Sequence, residues 1–334
     1  MTVGKAKSVG KEGAPDEFRF TVPCFTSIND AAIRDHLRRD KFFWLDLHAP
    51  GPEERAKLSE IFGFHPLALE DIEHFGQRPK LDDYDDHVFL VFYGAWRHRD
   101  GDQDPLREVH MFISGHYLVT IHREPLPPLD HERAELDGRV LHSEQFLIYR
   151  VLDALVDSFF PLLSDMDDEI DDLEAAVLSD PTQEQLQRLF ALKRELVGMR
   201  KVITPQRDLF ASSVDRISEL PGLTIDERDY FRDIYDHLIR ISDLIDSYRD
   251  LLSGATDLYL STVSNRQNDV MKQLTVIATV FLPLGFITGF FGQNFGFLVN
   301  HVIGSTWTFW VLGLGSMAAT CLALLVFFRR KGWV

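Results

Sequence analysis

The sequence predicts an α+β membrane protein with a cytoplasmic α/β head, a long helical stalk and two transmembrane helices. Three observations predict it. No Asp, Glu, Lys or Arg occurs from Gln273 to Phe328, which is 56 of the 334 residues. A helical apolar period without proline runs from Thr224 straight into that uncharged stretch. The first third of the chain instead carries short β-branched and aromatic runs separated by helical patterns.

Charge is divided just as sharply. The chain holds 35 Lys+Arg against 52 Asp+Glu, a net of −17. Residues 267–334 contribute Lys272, Arg329, Arg330 and Lys331 against Asp269, a net of +3, so residues 1–266 carry −20. Such a charge repels phosphate backbones and excludes a nucleic-acid partner. It also excludes attachment to anionic lipid through a basic patch. Two cysteines, Cys24 and Cys321, cannot build a disulfide framework and point to a reducing, cytoplasmic setting. Residues 1–16 are polar and Gly/Lys-rich, and are expected to form a disordered tail rather than a signal peptide.

The head is expected over 17–140. Runs at 18–25, 42–47, 87–93, 109–113 and 117–121 have strand composition, and Ser114-Gly115 supplies a hairpin turn. Helical patterns fall at 31–39 and 65–72. An antiparallel helical pair is expected over 141–223. Its first helix repeats Phe159, Leu163, Met166, Ile170, Leu173 and Val177, and Pro161 is expected to kink it. Asp180-Pro181-Thr182-Gln183 offers an N-cap, an N1 proline and an N3 acceptor for the second, which carries Leu186, Leu189, Leu196 and Ile203.

The stalk is expected over 224–273, and Thr224-Ile225-Asp226-Glu227 has the form of a capping box. Tyr230, Ile234, Leu238, Ile241, Ile245, Tyr248, Leu252, Ala255 and Leu258 then recur at helical spacing. Unbroken to Phe290, this helix has 67 residues and spans about 100 Å at ~1.5 Å each. A bilayer core of ~30 Å takes only its end. The first span is placed at 274–292 and the second at 307–328, each near the roughly 20 residues a crossing needs. The short 293–306 link makes them a hairpin with an external loop. Arg266 and Lys272 before it, and the basic 329–334 tail after it, place both termini in the cytoplasm of a multi-pass plasma-membrane protein, its spans in contact with lipid.

Several groups could carry chemistry. The run 165–174 holds seven carboxylates, but Ile170 stands where a calcium loop needs Gly. A solvated helix face is the favoured reading there, with weak divalent-cation binding between chains as the alternative. His110, His116 and His122 are evenly spaced on the expected hairpin without HExxH or CxxC, and a structural role is favoured over metal ligation. No Gly-rich phosphate loop, nucleophile elbow or Cys/His dyad occurs, so the chain is read as no enzyme. Gly285, Gly289 and Gly292 share a helical stripe with Asn268, Met271, Thr275, Ala278 and Leu282, followed by the neutral amides of Gln293 and Asn294. Alone this is a helix-packing face; in a symmetric oligomer it lines a pore.

These residues, in this order, resemble the CorA family of divalent-cation channels. The resemblance is carried by Ser264-Asn265-Arg266-Gln267-Asn268-Asp269-Val270-Met271-Lys272, by Leu274-Thr275 and Pro283-Leu284, and by Phe291-Gly292-Gln293-Asn294. In the head it rests on His65-Pro66-Leu67-Ala68-Leu69-Glu70-Asp71, on Gln77-Arg78-Pro79-Lys80, and on Tyr230-Phe231-Arg232-Asp233-Ile234-Tyr235-Asp236-His237. It covers roughly residues 18–334.

The resemblance implies a funnel-shaped homopentamer. Gly292, Gln293 and Asn294 stand at the family's selectivity filter, with Gln293 in place of the methionine of its Gly-Met-Asn signature. Asn268, Met271, Leu274, Ala278, Leu282 and Gly285 stand along its pore, where a Met and Leu ring gates by excluding water. Gly285 replaces a hydroxyl residue common there, and the 293–306 loop lacks the family's acidic residues. Glu70, Asp71 and Asp233, with Asp168 from the acidic run, match the regulatory metal site between subunits. The implied function is passive uptake of Mg²⁺, with Co²⁺ or Ni²⁺ as further cargo, shut off by intracellular Mg²⁺. Two alternatives are a proton-coupled Zn²⁺ transporter of the ZntB branch and a non-conducting membrane scaffold or sensor.

Overall fold

Val88–Ala95 and Tyr117–His122 are buried at every position, as strands are when both faces of a sheet are covered. They lie in a six-stranded sheet of the computed structural model, which describes residues 20–97, 104–218, 228–293, 296–303 and 305–333. The strands are β1 (Phe20–Thr21), β2 (Cys24–Phe25), β3 (Phe43–His48), β4 (Lys80–Asp83), β5 (Val88–Ala95), β6 (Leu106–Ile113), β7 (Tyr117–His122) and β8 (Val140–Leu141). The order in the main sheet is β2-β3-β7-β6-β5-β4. β2, β3 and β7 run parallel, and β7, β6, β5 and β4 pair antiparallel. The turn after β6 closes through a Ser114 amide that donates to the Tyr117 carbonyl at 3.0 Å.

The single strand expected over 18–25 is instead two short pieces in different sheets. Pro23 separates them and has no amide to donate to a ladder. β1 pairs with β8, while β2 joins β3.

The helices of this region are α1 (Asp30–Arg38), α2 (Pro52–Phe62), α3 (Pro66–Asp71) and α4 (Pro127–Leu136). Asn29 caps α1 by accepting from the Ala32 amide at 3.2 Å. α2 begins on a proline and ends at Gly63, whose φ of 68° suits a residue without Cβ. Three longer helices follow: α5 (Glu144–Asp157), α6 (Phe159–Ser179) and α7 (Gln183–Ser218). Where a kink at Pro161 is expected, α5 instead ends at Ser158, a single residue of helical backbone that separates it from α6. Pro161 then falls in the first turn of α6, where its missing amide needs no partner. The cap of α7 also differs. Thr182 and Gln185 bond reciprocally at 2.9 and 3.3 Å, so Thr182, not Asp180, is the N-cap.

α8 (Arg228–Phe291) is one helix of 64 residues. The expected Thr224 cap lies outside the described residues. The chain divides into two compact units, one holding residues up to Leu173 with Leu186–Ala255, the other Glu174–Gln185 with Thr256–Val334.

In the first unit α8 buries Phe231, Ile234, Leu238, Ile241, Ile245, Tyr248, Leu252 and Ala255. Fully burying one such aliphatic or aromatic side chain contributes about 1.5–3 kcal/mol. The helices meet the sheet at the outer half of β5, beyond its pairing with β4. There the Tyr93 amide donates to the buried Gln206 of α7 at 2.5 Å, and the Ala95 amide donates to Ser158 at 2.7 Å. Gly94 lies between them, and a Cβ there would meet Leu155 Cδ2 at 3.0 Å. Glycine permits that contact between strand and helix.

The second unit contains the remainder of α8 and a helix α9 (Thr306–Arg330). Both are long and apolar enough to cross a membrane. Hydroxyls within them bond their own helix: Thr275 to Met271 at 2.7 Å, Thr288 to Leu284 at 3.0 Å and Thr320 to Ser316 at 2.8 Å. Such bonds spare hydrocarbon an unpaired polar group. Pro283 sits inside α8 without ending it. Helical turns at Gly296–Leu298 and Val299–Ile303 precede α9.

The three expected strand histidines do not gather. Val109 faces His122 across the β6–β7 ladder and His110 faces Ile121, so His110 and His122 point to opposite faces. His110 meets Glu108 at 2.7 Å, His116 meets Asp40 at 2.7 Å, and His122 meets Asp46 at 3.4 Å. Asp46 is the centre of a buried network. Thr120 donates to it at 2.6 Å, Trp44 donates to Thr120 at 2.9 Å, and Arg133 closes on its other oxygen. Burial pushes the Asp46 carboxyl up, but the His122 bond and charge, Thr120 and Arg133 outweigh it and hold it below the usual range. Burial pushes His122 down, and the Asp46 bond and charge outweigh that to lift it.

The signs fix a pH window. The lowered Asp46 contributes stability that is lost as pH falls through its folded value; the raised His122 contributes stability that is lost as pH rises through its own. The pair is therefore worth most between about pH 4 and 6.5, the two unfolded values. Asp46→Asn is expected to lower stability by about 3 kcal/mol within that window, read by chemical denaturation. It should also return the His122 titration, followed by NMR, to a lower pH.

Candidate metal-binding and pore-lining residues

Residues four apart on a helix share a face. α5 presents Asp153 and Asp157 this way, and α8 presents Asp233 and His237. The two faces meet. His237 Nδ1 lies 3.0 Å from Asp157 Oδ1 and 3.4 Å from Asp153 Oδ1, and its Nε2 lies 3.9 Å from Asp233. Tyr149, one turn before Asp153, donates to Asp233 at 3.0 Å. One ligand atom each from Asp153, Asp157 and His237 lie within 4.8 Å of one another. Asp153 Oδ1 and His237 Nδ1 are buried, and neither has a well-directed hydrogen bond among the described residues. Burial, then Asp157 and Asp233, push the Asp153 carboxyl up to about 6, against the pull of His237 and Tyr149. A cation between these groups would remove the repulsion, and one imidazole among carboxylates suits Mg²⁺ less than a transition ion.

The expected regulatory residues fall in several places. Asp233 is in this group. Glu70 and Asp71 are at the end of α3, with Glu70 exposed. Lys80 holds the Asp71 carboxylate at 2.5 Å and Asp82 at 2.9 Å. No described hydrogen bond or ion pair joins Glu70 or Asp71 to Asp233. Asp168 is exposed on α6 near Tyr248, which lies 15 residues along α8 from Asp233, about 22 Å at ~1.5 Å per residue. Its neighbours are used structurally: Asp167 bonds Tyr248, and Glu169 pairs with Arg188. Asp153 and Asp157 were not singled out in the sequence. Their four-residue spacing was visible, but nothing local says which helix they face.

In the second unit, Asn268, Met271, Leu274, Ala278, Leu282 and Gly285 are all exposed, with Met271 at 54% and Leu282 at 80%. The partly covered residues of the same stretch are Val276, Thr279, Val280, Pro283, Leu284 and Ile287. At about 100° per residue these occupy the other side of the helix. Ile287 and Phe291 share a cavity of about 300 Å³ with Phe309, Gly313 and Met317 of α9. Near its end, at Ile287–Gly292, α8 thus has α9 beside it, while the stripe from Asn268 to Gly285 is exposed. The helix ends with the Gly292 amide donating to Thr288 at 2.9 Å and the Gln293 amide to Phe290 at 3.3 Å. A Cβ on Gly292 would lie 3.1 Å from the Thr288 carbonyl. Asn294 lies outside the described residues.

Residues 39–330 match the family described as CorA-like Mg2+ transporter protein. The chain belongs to this family of divalent-cation transporters. A cobalt/magnesium transport protein CorA of Thermotoga maritima is 37% identical over 283 residues, covering 83% of this chain and 79% of the relative. The putative metal ion transporter YfjQ of Bacillus subtilis is 33% identical, covering 87% and 90%. Among solved structures, the complete CorA magnesium transporter of Methanocaldococcus jannaschii superposes with a TM-score of 0.73 at 24% identity, covering 87% and 91%. The CorA fold of head, long helix and two apolar helices is thus shared along nearly the full length.

The carboxylate group gives a stability signature. Asp153, raised in the folded state, costs stability once pH exceeds its unfolded value near 4. Asp153→Asn is expected to stabilise the protein at pH 8 by about 1–2 kcal/mol. The gain should shrink below about pH 6 and vanish near 4, as read by thermal melting across that range.

Proposed function

We propose that the protein is a homopentameric, passive Mg²⁺ channel of the plasma membrane, its termini in the cytoplasm and its gate closed by intracellular Mg²⁺. The observation that carries this reading is the open stripe on α8. Asn268, Met271, Leu274, Ala278, Leu282 and Gly285 are exposed, while the far side of the helix is partly covered and α9 lies beside its Ile287–Gly292 end. Five such stripes around an axis would bury one another and line a pore. Gly292, Gln293 and Asn294 would form its outer mouth, where neutral amides meet a hydrated ion without stripping its waters. Mg²⁺ dehydrates reluctantly and suits such a site. Met271 and Leu274 would exclude water when closed. A divalent ion gains about 4.6 kcal/mol from 100 mV of membrane potential, twice the single-charge value. The likeness to the cobalt/magnesium transport protein of Thermotoga supports magnesium, with cobalt as a second cargo.

Regulation would rest on carboxylates brought together between subunits, Glu70 and Asp71 of one facing Asp233 of the next. Asp153, Asp157 and His237 flank Asp233, and Asp168 adds to the acidic surface. With −20 on residues 1–266, five chains would repel strongly unless cations bind between them. The carboxylate oxygens of Glu70, Asp71 and Asp233, without the imidazole, fit Mg²⁺, and the ion would have to share Asp71 with Lys80.

Uptake into liposomes tests both parts. Wild-type protein is expected to admit Mg²⁺ until internal Mg²⁺ rises. Asn294→Ala should reduce that flux at least tenfold, and flux equal to wild type would remove Asn294 from the filter. Asp233→Lys should make flux insensitive to internal Mg²⁺ or hold the pore shut; unchanged feedback would leave Asp233 as surface charge only. Zn²⁺ uptake that follows a proton gradient, or no flux from assembled protein, would sink the magnesium reading.

A further inference from the structure

Within the head, a cavity of about 910 Å³ lies between β6, the turn at 75–79 and α7. Five cations line it, Arg78, Arg107, Arg123, Arg200 and Lys201, against three carboxylates, Asp104, Glu108 and Glu124. This local balance opposes the net −17 of the chain. The carboxylates are also already engaged. Glu108 accepts from the Gly76 amide, from the Gln77 amide at 3.2 Å and from the Tyr93 hydroxyl at 3.0 Å, and lies 2.7 Å from His110. Glu124 pairs with Arg107 at 2.9 Å, and Asp104 caps the Leu106 amide at 3.0 Å.

Of the cations, Arg107 is engaged by Glu124 and by the Asp104 and Leu106 carbonyls. Arg200 pairs with Asp246 at 2.5 Å. Arg78, Arg123 and Lys201 have no carboxylate at ion-pair distance among the described residues. Arg123 is held in place without one: its guanidinium lies 4.5 Å from the Phe75 ring centre and 3.4 Å from the Glu73 carbonyl. The three come from separate elements, the 75–79 turn, the segment after β7, and α7. Leu106, Val197 and Val202 supply an apolar wall beside them.

We propose that this cavity binds a nucleoside polyphosphate, its phosphates on Arg78, Arg123 and Lys201 and its nucleoside against Leu106 and Val197. Several converging cations suit several linked negative charges, and guanidinium groups take phosphate through paired N–H donors. The volume lies in the range of about 300–1,000 Å³ found for small-molecule sites and far exceeds a single phosphate. None of its lining residues belongs to the α8 stripe or to the Asp233 group.

The test is titration calorimetry on the full-length protein in detergent without divalent ions, using ATP, tripolyphosphate and adenosine as probes. ATP is expected to bind once per chain and to weaken as salt rises. Tripolyphosphate should bind at least tenfold more weakly, and adenosine not measurably. The double variant Arg78→Ala/Lys201→Ala should lose at least tenfold in ATP affinity with an unchanged melting temperature, since both side chains are exposed. Arg240→Ala, a cation stacked on Phe160 outside the cavity, should bind ATP as wild type does. No saturable ATP binding, or equal binding by the double variant, would overturn the proposal. Tripolyphosphate binding as tightly as ATP would overturn its nucleoside part.

Discussion

The apolar seam of α8 is the contact on which the head depends. From Phe231 to Ala255 it presents a buried side chain at nearly every turn, and α5, α6 and α7 lie beside it through Tyr149, Tyr248 and Lys193. A 64-residue helix gains little from intrinsic propensity, because most helical stability in proteins comes from packing one face. Once that face is buried, the flanking positions have no choice of neighbour. Asp233 and His237 must look at α5, and Arg200 must look at Asp246.

That imposed proximity explains why carboxylates accumulate where they cost stability. Asp153, Asp157 and Asp233 converge beside a single His237, and one consequence is a carboxyl that titrates near 6. The Asp46 network shows the contrast. There Arg133, His122 and Thr120 satisfy a buried carboxylate from several sides, and its acidity moves the other way. One arrangement is complete in itself, while the other sets three carboxylates against one imidazole. Groups of the second kind mark places where a protein meets a ligand more often than places where it merely folds.

Much of the fold was legible because long apolar periods leave few alternatives. The 228–291 helix, the two spans and the strands at β3, β5, β6 and β7 all follow from residue type and spacing. Elements with weak patterns were not legible. α2 buries only Leu58 and so has no stripe to find; β4 reads Lys-Leu-Asp-Asp, an edge strand without a buried residue. The interruption at Ser158 and the Thr182 cap turn on a few local hydrogen bonds that several nearby residues could have made. For the sites, the α8 stripe was readable because one helix carries it. The Asp153–His237 group was not, since it needs two helices with 70 residues of chain between them to meet on one particular face.

Pro283 weakens α8 mechanically at one level. Without its amide, the Thr279 carbonyl has no partner four residues on, and the proline ring presses against that same carbonyl. Elsewhere in the span, bending α8 means stretching an intact ladder of bonds inside hydrocarbon. At this one level a rung is already missing. The helix is therefore most compliant between Thr279 and Pro283, with Met271 and Leu274 to one side and Gly292 to the other. A small tilt there would change the spacing of one end of the stripe while leaving the other end in place.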